Sequence, residues 1–165
     1  MKKLLSTSLL ILFFAALAYG IDINEVRGLY KKAVIDEKAN ETMLSILSSV
    51  DEKSPLLLGY KASGTMMMAN YVINPLSKLS YFNRGKRMLE SAIAADTKSL
   101  ELRFLRFMVQ VNSPSFLGYV NSIESDKRYI LDNMVNMTDM KSKEFVSAIL
   151  KDSKHLNPAE KTRLF

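Results

Sequence analysis

The chain has 165 residues, 48% hydrophobic and 24% charged, with a formal net charge of +6. That apolar share excludes a wholly disordered chain, and so mild a charge excess does not make a nucleic-acid binder. Without cysteine and with one histidine, His155, it has no route to disulfides, thiolate metal sites, a Cys nucleophile or His-pair metal motifs.

The N-terminus reads Met1-Lys2-Lys3, then an apolar run over 4–18 broken only by Ser6, Thr7 and Ser8, then Ala18-Tyr19-Gly20. A basic start, a short apolar stretch and small residues before a cut give the layout of a secretory signal peptide over 1–20, removed ahead of Ile21. The run falls short of the ~20 apolar residues a membrane span needs. No Cys follows it to take a lipid anchor. Loss of Lys2 and Lys3 lowers the charge by two. Residues 21–165 are long enough for one self-sufficient core, and a single domain is expected, periplasmic in a Gram-negative cell or secreted.

Six glycines and four prolines are few for a turn-rich β-fold. All four prolines follow Ser or Asn: Ser54-Pro55, Asn74-Pro75, Ser113-Pro114 and Asn157-Pro158. A Ser or Asn cap ahead of Pro at the first helical position is a helix-start pattern. Glu160 adds the second half of a capping box at the last.

Apolar spacing places the helices between these marks. Val26, Leu29, Tyr30, Ala33 and Val34 form one stripe over about 24–36, and Met43, Ile46, Leu47 and Val50 a second. A third helix runs from Pro55 to about Ile73, apolar on most faces and therefore central. A fourth spans Pro75 to about Ala95, with Leu79, Phe82, Leu89, Ala92 and Ile93 inward. Leu102, Leu105, Met108 and Val109 mark a fifth over Ser99–Val111. Phe116, Val120, Ile123, Ile130 and Met134 mark a sixth from Pro114 to about Val135. Phe145, Val146 and Ile149 mark a seventh, and Pro158–Phe165 gives a short terminal one. The fold class is all-α, about seven helices in antiparallel hairpins, as a right-handed α/α array or a compact orthogonal bundle. The pattern S-P-x-x-L-G-Y occurs at both 54–60 and 113–119, which sets Gly59 and Gly118 in the second turn of their helices, where another helix approaches closely.

Tyr60-Lys61-Ala62-Ser63-Gly64, followed by Lys86-Arg87-Met88-Leu89-Glu90-Ser91-Ala92-Ile93-Ala94-Ala95-Asp96, resembles a tetratricopeptide-type helix pair over about 60–112. Thr97-Lys98-Ser99 stands at the turn without that family's usual Pro, and the aromatic start of its signature is missing. The stretch from Leu100 to Phe107, with Asp126-Lys127, is similar to small exported helical proteins of Gram-negative bacteria. These resemblances imply the fold and export. They imply no chemistry.

Arg103 and Arg106 lie one turn apart, with Phe104 and Phe107 interleaved, and Lys86, Arg87, Lys127 and Arg128 are placed to join them. One reading is a basic groove near Arg103, Arg106, Tyr119 and Lys127 that receives a peptide or protein. The other pairs the arginines with Glu90, Asp96, Glu101 or Asp126 as ties between helices. Met66–Met68 and the series Met134, Met137, Met140 suit Cu(I) by ligand type, and equally suit an apolar flank. Glu90, Glu101, Glu124 and Asp126 offer a carboxylate pair for hydrolysis if they share a groove. Asp152, Ser153 and His155 are too local for a triad. Asn40-Glu41-Thr42 and Asn136-Met137-Thr138 match the glycosylation triplet. The expectation is an exported, non-catalytic binding or scaffold protein without a cofactor, whose partner is a protein or peptide of the cell envelope. Its rivals are an envelope hydrolase and a Met-based Cu(I) carrier.

Overall fold

The computed structural model describes residues 20–165, so the expected export segment, Gly20 apart, lies outside the described residues. Every regular element among them is helical: α1 (Ile23–Ala33), α2 (Glu37–Ile46), α3 (Pro55–Tyr71), α4 (Pro75–Ala95), α5 (Leu100–Asn112), α6 (Ile123–Asn133), α7 (Met140–Lys151) and α8 (Pro158–Thr162). The all-α class and the α3 and α4 starts at Pro55 and Pro75 agree with the proline pattern.

Side-chain caps explain most of these starts. Asp22, Asp36, Asn74, Ser99, Asp139 and Asn157 each accept a first-turn N–H, and Asn157 with Glu160 forms the complete capping box. Ser54 makes no such bond. Ser113-Pro114 does not start an α-helix, which corrects the expected helix over 114–135. The chain makes a 3-10 turn at Ser115–Leu117 instead, and Gly118, at φ 62°, donates to Ser115 O and ends it. Only glycine enters that left-handed conformation freely. The two S-P-x-x-L-G-Y segments therefore fold differently, and Gly118 lies in no helix.

Gly59 does lie in one. A Cβ there would sit 2.3 Å from Leu102 Cδ2, so its bareness lets α3 approach α5. Gly85 does the same for α4 on α3, where a Cβ would meet Met66 Cγ at 2.4 Å and Ala62 O at 2.6 Å. These contacts run α3 and α4 antiparallel. The Arg106–Glu90 and Arg103–Tyr129 contacts reverse α5 against α4 and α6 against α5. So α1, α3 and α5 lie side by side in one direction, and α4 and α6 return.

Helix α7 crosses the face of the first three. Phe145 sets its ring at 6.0 Å from Tyr30 on α1, 6.2 Å from Tyr60 on α3 and 5.7 Å from Phe104 on α5. Such edge-on and tilted aromatic contacts add to the area buried. Behind α7, Ser147 Oγ donates to Leu164 O at 3.1 Å, and Leu164 is fully buried. The short α8 thus serves to seat Leu164, which follows it. One continuous core joins these elements.

Several expected inward positions face solvent: Val34, Leu79, Phe116 and Val120 are all exposed. Leu79 stands on the first turns of α4, and Phe116 and Val120 belong to the turn Gly118 creates, so neither set faces a packed helix. Asn40, by contrast, is fully buried and donates Nδ2 to Gly64 O at 3.0 Å, which bars glycosylation there in the folded protein. No helix among the described residues is long and apolar enough to cross a membrane.

Candidate functional site

Two buried ionic clusters and one cleft hold the polar chemistry of the interior. The first cluster centres on Glu101 in the opening turn of α5. Its Oε1 accepts from Arg27 Nε at 2.8 Å and from the Tyr60 hydroxyl, and its Oε2 accepts from Arg27 Nη2 at 2.6 Å and from the Ser142 hydroxyl. Four donors match the four acceptor positions of a carboxylate. Arg27 Nη2 also reaches Asp139 Oδ2 at 3.0 Å, so the cluster joins α1, α3, α5 and the start of α7. The bond to Glu101 outweighs burial and raises the Arg27 guanidinium above its ordinary value. Burial, then Glu101, pushes the Tyr60 hydroxyl up. The Ser142 N–H, with help from Arg27 against partial burial, holds Asp139 below the usual carboxylate range.

The second cluster takes up three of the four residues singled out from the sequence. Arg106 grips fully buried Asp126 through Nε at 2.6 Å and Nη2 at 2.8 Å, and sends Nη1 to Glu90 at 2.9 Å. Arg103 adds a bond to Asp126 at 3.1 Å and one to Thr97 O. Tyr119 donates to Glu90, and burial, then that bond, raises its hydroxyl. The Asp126 bond raises Arg106 against the cost of burial. Lys127 points elsewhere, between Glu124 at 3.2 Å and Glu160 at 3.3 Å, and those bonds overcome burial and raise it. The arginines therefore tie α4, α5 and α6 together through Asp126 and Glu90, and offer no open basic groove between them.

The candidate carboxylates do not share an open groove. Glu90 and Asp126 are bridged by Arg106, Glu101 sits in the first cluster, and Glu124 is exposed. Met134 is fully buried, Met137 half-buried and Met140 exposed; they span a 3-10 turn (Met134–Asn136), a loop and the first residue of α7 instead of one helix flank. Met66 lies in the core under Gly85. His155 packs edge-on against Phe107 with Nε2 buried and unpartnered.

A cleft of about 380 Å³ opens beside the first cluster, between the starts of α5 and α7 and the end of α6. Leu56, Leu100, Met137 and Tyr129 give it apolar wall, and Asn133, Asn136 and Thr138 give it neutral polar groups. Tyr129 is fixed from two sides: its hydroxyl donates to Lys98 O at 3.0 Å and the Arg103 guanidinium stacks on its ring at 5.1 Å. Arg103 thus touches the cleft through Tyr129, as a support. No motif in the sequence marks this site, because its walls come from three chain segments with no shared spacing. Among the described residues no group of three or more His, Asp or Glu is placed to hold a metal ion.

Comparison with protein-family models, curated proteins and solved structures finds nothing that matches this chain.

Proposed function

We propose that the chain is an exported, non-catalytic helical binding protein, tetratricopeptide-like in arrangement, that holds an extended peptide or a segment of an envelope protein in the cleft between α5, α6 and α7. Its leader is removed before Ile21, and it works in the periplasm or outside the cell. The observation that supports this is the make-up of the cleft wall. Amide and hydroxyl side chains at Asn133, Asn136 and Thr138 pair with a peptide backbone, and Leu56, Met137 and Tyr129 receive its side chains. The cleft lies in the lower part of the ~300–1,000 Å³ range of ligand sites. A hydrolytic role is disfavoured because both carboxylates lining the cleft are engaged: Glu101 accepts four internal bonds, and Asp139 accepts from Arg27 and the Ser142 N–H.

The test is a peptide-display selection against the protein, scored against a Tyr129→Ala/Asn133→Ala variant whose helicity is verified by circular dichroism. Selected peptides are expected to lose at least about tenfold in affinity for the variant, the cost of about one good contact. Equal binding to both proteins removes the cleft as the site.

A further inference from the structure

Three inter-helix turns gather at one end of the molecule. Tyr71, closing α3, donates its hydroxyl to Ala33 O, closing α1, at 2.9 Å, so the α1–α2 and α3–α4 turns lie side by side. The α5–α6 turn joins them because α5 runs back along α4. Tyr119 rests on Phe82 of α4 at 6.0 Å, and Lys86 Nζ stands 4.8 Å over its ring. Leu76 and Leu79 continue that stripe of α4 toward its N-terminus, at the i, i+3 spacing that shares one helix face.

Each turn holds an apolar side chain out into solvent. Ile35 is 89% exposed, Ile73 94%, Leu76 78% and Phe116 84%. Single exposed hydrophobics are ordinary on a protein surface. Three of them raised from separate turns, with Leu76 beside them on the first turn of α4, form a patch at one end, which needs an occupant. The local charge indicates its chemistry. Around the α3–α4 turn, over 62–89, the chain contains four Lys and Arg and not one Asp or Glu, and 107–123 is uncharged. At the α1–α2 turn Lys31, Lys32 and Lys38 outnumber Asp36 and Glu37.

We propose that this end docks on an anionic lipid surface, with Ile35, Ile73, Leu76 and Phe116 entering the boundary between headgroups and acyl chains. Lys31, Lys32, Lys78 and Arg84 then meet the phosphates. Protruding side chains on separate turns suit a fluid bilayer, which needs no matching shape, better than the fitted surface of a protein. Their short reach restricts the contact to the interface, in keeping with the absence of a membrane-crossing helix among the described residues. Basic residues beside them add the attraction to anionic lipid that one shallow apolar contact lacks.

The chain has no tryptophan, so Phe116→Trp supplies a single reporter. The mature Phe116→Trp protein is mixed with vesicles of equal phosphatidylglycerol and phosphatidylcholine. Its emission is expected to shift to the blue and to be quenched by brominated acyl chains. A Val135→Trp reporter, exposed at the opposite end where α6 stops, is expected to do neither. Binding weakens at least about tenfold when salt rises from about 0.05 to 0.5 M, as screening requires. It weakens similarly in Ile73→Ser/Leu76→Ser, whose substituted residues are exposed and whose unfolding temperature stays unchanged. Absence of any shift, equal binding to pure phosphatidylcholine, or equal response at Val135→Trp overturns the proposal. So does a wild-type dimer in sedimentation equilibrium that Ile73→Ser/Leu76→Ser dissociates, because a second copy then covers the patch.

Discussion

Arg27 and Glu101 stand 74 residues apart in the chain and meet in the core as a two-pronged pair, Nε to Oε1 and Nη2 to Oε2. Their side chains are 5% and 4% exposed, so neither charge has water to fall back on. Removing one partner of a buried pair costs about 3–5 kcal/mol, whereas apolar replacement of both is often near neutral. Arg27→Met is expected to lower unfolding free energy in urea by that amount, and Arg27→Met/Tyr60→Phe/Glu101→Leu/Ser142→Ala, which also removes the two hydroxyls that donate to Glu101, to recover a large part of it. A loss below about 1 kcal/mol in the single variant means the pair is exposed in solution.

Arg106 makes the same kind of contact with Asp126, which is fully buried. Arg106→Met is expected to cost about 3 kcal/mol, while the affinity of folded molecules for a cleft-binding peptide stays unchanged. Parallel urea melts and binding isotherms separate the two effects. Lost affinity at unchanged stability returns Arg106 to the binding site.

The helical glycines differ in what surrounds them. A Cβ at Gly85 meets the Ala62 carbonyl and the Met66 backbone nitrogen, which cannot move without shifting α3. At Gly59 it meets only the ends of Leu102 and Leu105, which can turn aside. Alanine gains about 1 kcal/mol of helix propensity at either position. Gly85→Ala is expected to destabilise despite that gain, and by more than Gly59→Ala. Thermal melts reversing this order contradict the α3–α4 contact.

Burial, and then Lys154, lowers the His155 imidazole below its ordinary value of about 6.5. The unfolded chain therefore takes up its proton at a higher pH than the folded chain does. Stability is expected to be level above about pH 7 and to fall as pH drops through about 6.5. His155→Gln, which cannot titrate, flattens that part of the profile. Urea midpoints at half-unit pH steps check it, and an unchanged slope in the variant assigns the titration elsewhere.

Much of the fold was legible because helix starts are local. Asn74, Asn157 and the Pro55 and Pro75 positions announce themselves within four residues. The helix expected from Pro114 failed for an equally local reason, the left-handed Gly118, which periodicity across Phe116, Val120 and Ile123 could not reveal. Site chemistry was less legible because it depends on partners far along the chain. Arg103 and Arg106 look alike beside a groove or in a tie until Asp126 and Glu90 are placed. Glu101 gave a usable sign, a carboxylate between Leu100 and Leu102 on an apolar helix, as did the acid-free run over 53–89. Tyr129, Asn133 and Thr138 gave none.

Peptide recognition by the cleft is tested most directly by amide chemical-shift mapping with a selected peptide. Shifts are expected to concentrate at Tyr129, Asn133, Asn136, Thr138 and the first turns of α5 and α7, with Arg87 and Lys127 unmoved. Shifts centred on Lys127, Arg106 and Tyr119, with the cleft silent, contradict it.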